Sequence, residues 1–273
     1  MSGVTTGVSG APARVARRVR EYLVAYYAHM LEYRAEIALW MLSGLLPFIL
    51  MGVWMKAAGD GRFVLDSLQF ARYFTAVFLV RQATVVWVIW EFEGDVVQGK
   101  LSPFLLQPID PVWRYIARHV SERAARLPFL VALLALFFIW RRDVFWLPSL
   151  KTAALSLVAV TLAFALRFAV QYSFAMLTFW TERASSVQRF WWLLYMLLSG
   201  LMAPLDVYPP EVARIARWTP FPWMVDWPAR LLVGLPVDAP AGLAMLTAWL
   251  LVFIVINRLL WRAGLRHYSA MGA

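Results

Sequence analysis

The sequence WEFEGDVVQGKLSPFLLQPIDP, residues 90–111, is a short, polar, helix-forming segment between two long apolar runs. Two acidic residues, Glu91 and Glu93, stand near its start, and a turn at Gly99 leads into an apolar cluster. A connection between two membrane-spanning helices needs only a few residues. A helix that carries an apolar cluster in this place therefore predicts a docking surface for another protein.

The composition predicts an all-α polytopic membrane protein. Hydrophobic residues make up 62% of the 273 residues, charged residues make up 15%, and there are 15 tryptophans. Such a chain is too apolar for a soluble domain. We assign the net charge of +10 to basic residues that flank the spans and meet anionic lipid headgroups, so no nucleic-acid partner is expected. Because the chain has no cysteine, disulfides and thiolate metal sites are excluded.

Six transmembrane helices are predicted from the apolar runs. In chain order these runs are Ile37–Met55, Phe74–Trp90, Leu127–Trp140, Thr152–Trp180, Phe190–Leu205 and Ala239–Ile256. The third run is short, and we expect it to extend back through Arg123 and Arg126, whose aliphatic stems can snorkel. Six spans place both termini on one side. Basic clusters beside the first and last spans predict that this side is cytoplasmic, in a multi-pass protein of the cell (inner or plasma) membrane.

Residues 14–34, before the first span, have the pattern of an amphipathic helix. Apolar and aromatic residues recur there at spacings of three and four, and arginines occupy much of the remaining surface. Such a helix is expected to lie in the bilayer interface rather than to cross the membrane. Residues 1–12 are expected to be disordered.

The outer segment 206–238 is rich in proline and tryptophan, with six prolines and three tryptophans. The proline and glycine positions predict two short helices, Glu211–Trp218 and Trp223–Val233. We expect an outer re-entrant or interfacial hairpin that caps the pore, with Asp226 and Arg230 forming an exposed pair on its second helix. The tryptophans assigned to this outer gate are Trp218, Trp223 and Trp227.

Two arginines and one glutamine inside the predicted spans are candidate residues of a translocation pathway. Arg81 interrupts the second run, and Arg167 and Gln171 lie in the fourth. An arginine inside a span is costly and faces a partner, a cavity or a lipid phosphate. The functional interpretation is attraction of an anionic substrate or headgroup. The structural alternative is bonding to backbone carbonyls or to a nearby glutamine.

Catalytic and metal-binding motifs are missing from the sequence. Residues 94–100, GDVVQGK, match the first seven positions of a phosphate-binding loop, but Leu101 replaces the Ser or Thr that would hold magnesium, and no strand precedes it. The three histidines lie far apart, without a carboxylate at ligand spacing. No apolar run carries an interior Asp or Glu, which disfavours a proton-coupled carrier and an intramembrane enzyme. We therefore assign no catalytic residue and no metal ligand.

Together these features resemble the permease subunits of type-2 ABC transporters. Those subunits have an N-terminal interfacial helix, six spans, a cytoplasmic coupling helix between the second and third, and an outer hairpin between the fifth and sixth. Their coupling segment, which corresponds to residues 91–111 here, typically carries Glu-x-Glu, Gly-x-Leu and Leu-Leu-x-x-Pro. Glu91-Phe-Glu93, Gly99-Lys-Leu101 and Leu105-Leu-Gln-Pro108 occupy those places. The stretch PFPWMVDWPARLL at 220–232 is similar to one subfamily of these permeases.

The resemblance implies a single transmembrane permease domain over residues 1–273 that forms half of a translocation pathway. A second permease subunit, identical or related, would complete the pathway, and separate ATPase subunits would hold ATP and magnesium, so that this chain has no cofactor of its own. Export is implied by the family. A membrane channel or scaffold without ATP coupling is the alternative, and an associated ATPase would discriminate. The residues implied in ATPase docking are Glu91, Glu93, Gly99, Leu101, Phe104, Leu105 and Pro108.

Overall fold

The computed structural model describes residues 10–59, 63–181 and 183–268, and these residues form helices and no β-strand. The helices are α1 (Gly10–Glu32), α2 (Arg34–Ser43), α3 (Leu46–Ala58), α4 (Ser67–Ala83), α5 (Val88–Val97), α6 (Leu101–Leu105), α7 (Val112–Trp140), α8 (Leu150–Ala175), α9 (Ser185–Leu198), α10 (Pro210–Arg217), α11 (Phe221–Met224), α12 (Asp226–Val233) and α13 (Ala239–Leu265). The predicted all-α class is confirmed. Of the segment predicted to be disordered, residues 1–9 lie outside the described residues, and α1 already begins at Gly10.

Five helical stretches of the described chain are long and apolar enough to cross a membrane. They are Arg34–Ala58, Ser67–Val97, Val112–Trp140, Leu150–Phe179 and Ala239–Leu265. The fifth predicted run, Phe190–Leu205, differs, because α9 has only 14 residues. At 1.5 Å per residue α9 extends about 21 Å, less than the ~30 Å hydrocarbon core of a bilayer. It ends at Leu198, since the chain then turns through Gly200, whose φ is +89°.

The second predicted span is broken between α4 and α5 rather than continuous. The backbone N–H of Trp87 at this break donates to Nε2 of His119, 2.8 Å away. Nδ1 of His119 lies 2.8 Å from the carbonyl oxygen of Tyr115, so this imidazole carries its proton on Nδ1 and accepts at Nε2. A buried side chain of α7 thus satisfies a backbone group that the helix break leaves free.

The main core surrounds α4, which is buried on nearly all sides. Phe70, Phe74 and Val77 of this helix are fully buried, and α4 packs against α3, α8 and α12. A second core joins α5, α7 and α8 around Phe92 and Tyr172. The first core holds the outer hairpin against the bundle, and the second holds the coupling segment.

The outer surfaces of α7 and α13 expose large apolar side chains. Leu136 and Ile139 on α7 are 69% and 66% exposed, and Leu259 on α13 is 61% exposed. A water-facing surface rarely carries so many contiguous apolar groups. These surfaces have the character of a face that contacts lipid.

Helix α1 packs along α7, and Ser121 of α7 donates to the carbonyl oxygen of Leu23 at 2.9 Å. Met30, Ile37 and Ala125 form a small core at this contact. The amphipathic helix predicted over residues 14–34 corresponds mostly to α1, which begins earlier, at Gly10, and ends at Glu32, so that Arg34 already belongs to α2.

Candidate functional site: the coupling segment, the arginine cluster and the outer hairpin

The coupling segment, defined as residues 91–111, consists of most of α5, a turn, the short helix α6 and the residues that lead into α7. Gly99 has a φ of +69°, a conformation that residues with a side chain rarely adopt. The turn lets α6 fold back towards the bundle. The residues that resemble a phosphate-binding loop lie partly in α5, so they form no loop around an anion.

Leu101 lies in the second core and has no exposed surface. The prediction that Leu101 contributes to an exposed docking cluster is therefore wrong for this residue. Leu105, one turn later on the same face of α6, is also partly buried against that core. Leu106 points the other way and is 89% exposed. The sequence motif does not distinguish Leu105 from Leu106. The two side chains differ in exposure because α6 ends at Leu105.

The exposed surface of the coupling segment, which we call the docking face, contains apolar and basic side chains. Leu106 is its most exposed apolar residue, and Val97 is 40% exposed. Gln98, Lys100, Pro103 and Pro108 are also exposed. Of the residues predicted for docking, Pro108 thus lies on this face, and Phe104 and Leu105 lie at its edge, half-buried.

The two acidic residues of the coupling segment bind within the chain. Glu91 pairs with Arg118, with Nε and Oε1 3.1 Å apart. Glu93 accepts hydrogen bonds from the backbone N–H and the hydroxyl of Ser185, at 2.6 and 3.0 Å. Ser185 is the first residue of α9, where free N–H groups and the helix dipole favour a negative charge. Glu93 therefore links α5 to the start of α9.

Further bonds fix the buried side of the coupling segment to three other helices. Asp95 pairs with Arg114 and accepts from the Tyr115 hydroxyl at 2.8 Å, which joins α5 to α7. The Arg114 guanidinium also lies over the ring of Phe104, 3.7 Å from its centroid. The remaining bonds are Tyr22 to Gln107 (3.0 Å), Ser102 to Tyr268 (3.0 Å) and Arg258 to Asp110 (2.7 Å). These bonds connect the coupling segment to α1, α7, α9 and α13.

Arg167 is buried in the bundle, 4% exposed, and its neighbours are neutral. Its guanidinium donates to the Tyr195 hydroxyl at 2.9 Å and lies 4.5 Å from the centroid of that ring. Arg81 reaches the carbonyl oxygen of Gly44 at 3.4 Å and lies 5.5 Å from the ring of Trp192. Within the described chain, neither arginine has a carboxylate partner.

Several polar groups in this region have no hydrogen-bond partner within the described chain. They include Nε of Arg167, both amide atoms of Gln171 and the indole N–H of Trp191. Gln171 is fully buried. Buried polar groups are nearly always satisfied. We define the arginine cluster as Arg81, Arg167 and Gln171 with the aromatic residues of α9.

The outer hairpin, residues 206–238, is anchored by a buried ion pair. Asp226 and Arg230 are 6% and 8% exposed, and Nε of Arg230 lies 3.0 Å from the Asp226 carboxylate. The two residues pair as predicted, but the prediction that the pair is exposed is wrong, because this face of α12 points into the bundle. The Tyr73 hydroxyl of α4 donates to Asp226 at 2.7 Å, and Arg230 also binds Asp206 at 2.7 Å. Burial raises the pKa of Asp226, while Arg230 and Tyr73 oppose that rise.

The three tryptophans of the hairpin differ in environment. Trp227 is 6% exposed and packs closely on Gly242 of α13, where any added Cβ would meet its ring at 1.9 Å. Trp223 is half-buried and donates to the carbonyl oxygen of Arg217 at 3.1 Å. Trp218 is 74% exposed. The predicted second helix is also divided into α11 and α12 at Val225.

No group of three His, Cys, Asp or Glu side chains in the described chain could hold a metal ion. The five long apolar helices of the described chain indicate a multi-pass membrane protein.

The chain belongs to the ABC-2 family transporter proteins, whose family model matches residues 63–272. The resemblance to type-2 ABC permeases is thereby confirmed, and the chain is a membrane permease component of an ABC transporter, a class that works with an ABC ATPase subunit. No curated protein matches the chain.

Proposed function

We propose that the chain is half of the translocation pathway of an ATP-driven exporter, coupled through its docking face to a separate ATPase subunit. The observation that supports this proposal is that the coupling segment has one exposed side and is bonded elsewhere to the rest of the bundle. Its outer side exposes Leu106 at 89%, while other side chains of the segment are bonded to α1, α7, α9 and α13. An apolar side chain that enters a groove on the ATPase would transmit closure of the nucleotide sites to these helices. ATP and magnesium would be held by the ATPase.

The arginine cluster supplies the candidate pathway. Arg81 and Arg167 lack carboxylate partners, and the amide of Gln171 is unpartnered in the described chain. Two uncompensated arginines, one in each of two neighbouring spans, favour an anionic group on the substrate. The aromatic residues of α9 lie beside both arginines, and α9 is linked to the docking face by Glu93. A second permease subunit, identical or related, would complete this pathway. It would also complete the part of the bundle around α9, which is too short to cross the membrane.

The outer hairpin is assigned the role of outer gate, with Trp227 as its buried anchor and Trp223 and Trp218 towards its surface. Lipid would cover the apolar faces of α7 and α13 in a cell (inner or plasma) membrane. Both termini would be cytoplasmic, because the basic clusters lie beside the first and last spans. The direction of transport rests on the resemblance.

The test uses the chain purified with a tag from its own cell membranes, with subunit content and ATP hydrolysis as readouts. Leu106→Asp places a charge on the docking face. Leu147→Asp is the matched control, because Leu147 is 85% exposed and follows α7 at the end remote from the coupling segment. We expect Leu106→Asp to lose the ATPase subunit and its activity, and Leu147→Asp to retain both.

Undiminished ATPase association in Leu106→Asp would place docking elsewhere, with α1 as the next candidate. A wild-type chain that never brings down an ATPase would instead support a channel or scaffold without ATP coupling.

A further inference from the structure

A cavity of about 610 Å³ lies between the N-terminal helices, α5 and α7, apart from the proposed pathway. Three tryptophans line one side of it. The ring centroids of Trp40 and Trp87 are 5.7 Å apart, and those of Trp87 and Trp90 are 5.5 Å apart. Trp90 is 43% exposed, and Tyr33 adds a further exposed ring. The electron-rich faces of such rings attract organic cations.

The charged groups that line the cavity leave one carboxylate without a partner, since His29, which also lines it, lies 3.6 Å from Glu32. Arg118 pairs with Glu91 at 3.1 Å, and Arg126 pairs with Glu122. Both arginines that line the cavity are therefore already neutralised. Glu36, which also lines it, has no ion-pair partner among the described side chains. A cation that enters the cavity would meet an available carboxylate beside the tryptophans.

An apolar surface adjoins this aromatic and acidic cavity. Leu39 and Leu42 flank Trp40 on α2 and are 66% and 52% exposed. Helix α2 is the first part of the stretch Arg34–Ala58, which is apolar enough to cross a membrane. A ligand with a cationic end and an apolar body could thus place its charge at Glu36 and its body along α2.

We propose that this cavity binds an amphiphilic organic cation, whose quaternary onium or ammonium end is recognised by the tryptophans and Glu36. The same chemistry is offered by a free cationic amphiphile and by the ammonium headgroup of a membrane lipid. The site differs in charge from the arginine cluster. Because binding to the cavity needs no ATPase, this proposal stands or fails separately from the proposed function.

The test is equilibrium binding of radiolabelled tetraphenylphosphonium to the full chain in phosphatidylglycerol nanodiscs, whose lipid carries no ammonium group. Tetraphenylborate, which has the same shape and the opposite charge, is the ligand control. We expect Glu36→Gln and Trp90→Leu each to weaken phosphonium binding about five-fold, the effect of losing one charge or one cation–π contact. Borate binding should not change.

Glu211→Gln and Trp140→Leu are the matched controls, because Glu211 is exposed on the outer hairpin and Trp140 is 76% exposed at the end of α7, and neither residue lines the cavity. Both controls should bind phosphonium like the wild type. Glu36 is exposed, so its substitution tests the site even where Trp90→Leu impairs folding.

Equal phosphonium affinity in Glu36→Gln and the wild type, or equal binding of both ions, would overturn the proposal. Adding phosphatidylethanolamine to the nanodiscs distinguishes the two possible ligands, a lipid headgroup and a free cationic amphiphile. Displacement of phosphonium would identify a lipid headgroup as the ligand, and unchanged binding would identify a free cation.

Discussion

Glu93 accepts two hydrogen bonds from Ser185, at 2.6 Å from its backbone nitrogen and 3.0 Å from its hydroxyl, and so binds the coupling segment to the first residue of α9. The N-cap of α9, Ala184, has no side chain that could do this. A residue of the coupling segment thus supplies the cap of a helix 92 positions later in the chain. This bond connects the coupling segment directly to the start of α9.

Glu93→Ala should weaken transport more than it weakens assembly with the ATPase. Loss of a helix cap costs about 1 kcal/mol, so thermal unfolding should shift by only a few degrees. We expect the ATPase to remain bound while stimulation of ATP hydrolysis by substrate falls. Glu211→Ala, which removes an exposed glutamate from the first turn of α10, is the control. Loss of ATPase binding in Glu93→Ala would assign Glu93 to docking.

Leu101→Ala and Leu106→Ala should separate stability from docking. Leu101 is fully buried in the second core, and truncating such a leucine costs about 2–5 kcal/mol. Leu106→Ala should leave the melting temperature unchanged and weaken ATPase association. The measurements are thermal unfolding in detergent and ATPase pull-down. Equal stability of the two variants would contradict the burial of Leu101.

Gly200→Ala should strongly destabilise the outer hairpin. Gly200 has a φ of +89°, and a Cβ there would lie 2.6 Å from Cβ of Asp226 and from the Tyr73 hydroxyl. The change would separate the groups that hold α12 against α4. The control is Gly52→Ala, because a Cβ at Gly52 meets nothing within 4 Å and alanine is the better helix former by about 1 kcal/mol. We expect low yield of folded Gly200→Ala and normal yield of Gly52→Ala.

Arg81→Met should reduce transport without reducing expression. The side chain makes one long bond, 3.4 Å, to the carbonyl of Gly44, and its removal takes an uncompensated charge out of a span. We expect equal or better yield with lower substrate-stimulated ATP hydrolysis, and Arg81→Lys should retain part of that stimulation. Collapse of expression, with normal transport by each surviving molecule, would make Arg81 a structural residue.

Cysteine labelling tests the outer hairpin, because the chain has no native cysteine. Trp223→Cys should resist an aqueous maleimide in intact cells, since Trp223 is half-buried in the hairpin. Asp143→Cys should label readily, because its side chain is 57% exposed in the predicted outer loop. The Arg141–Asp143 pair that is lost is exposed and contributes little to stability. Equal labelling would make the hairpin an ordinary solvated loop.

The membrane class and the helical segments were accessible from the sequence, because hydrophobicity and helix signals are local properties. The coupling segment was also found this way, since its motif is contiguous. Element boundaries were less accurate where glycine turns the chain: the fifth predicted run includes Gly200, at which α9 has already ended.

Side-chain roles were accessible only where they depend on nearby residues. The i,i+4 spacing of Asp226 and Arg230 predicted their pairing, and the structure contains it. Their burial was missed, because it depends on Tyr73, 153 residues from Asp226. Likewise, no local pattern marked Ser185 as the partner of Glu93.

By itself, the sequence determined that this protein is an all-helical membrane protein with a polar helical segment after its second apolar run, because composition and periodicity specify those features, and the resemblance of that segment's motif implied a permease. Only the tertiary structure decided that Leu106 rather than Leu101 faces outward and that Glu93 caps α9. The physical reason is that burial and hydrogen-bond partners depend on which distant helices pack together, and the linear pattern does not contain that choice.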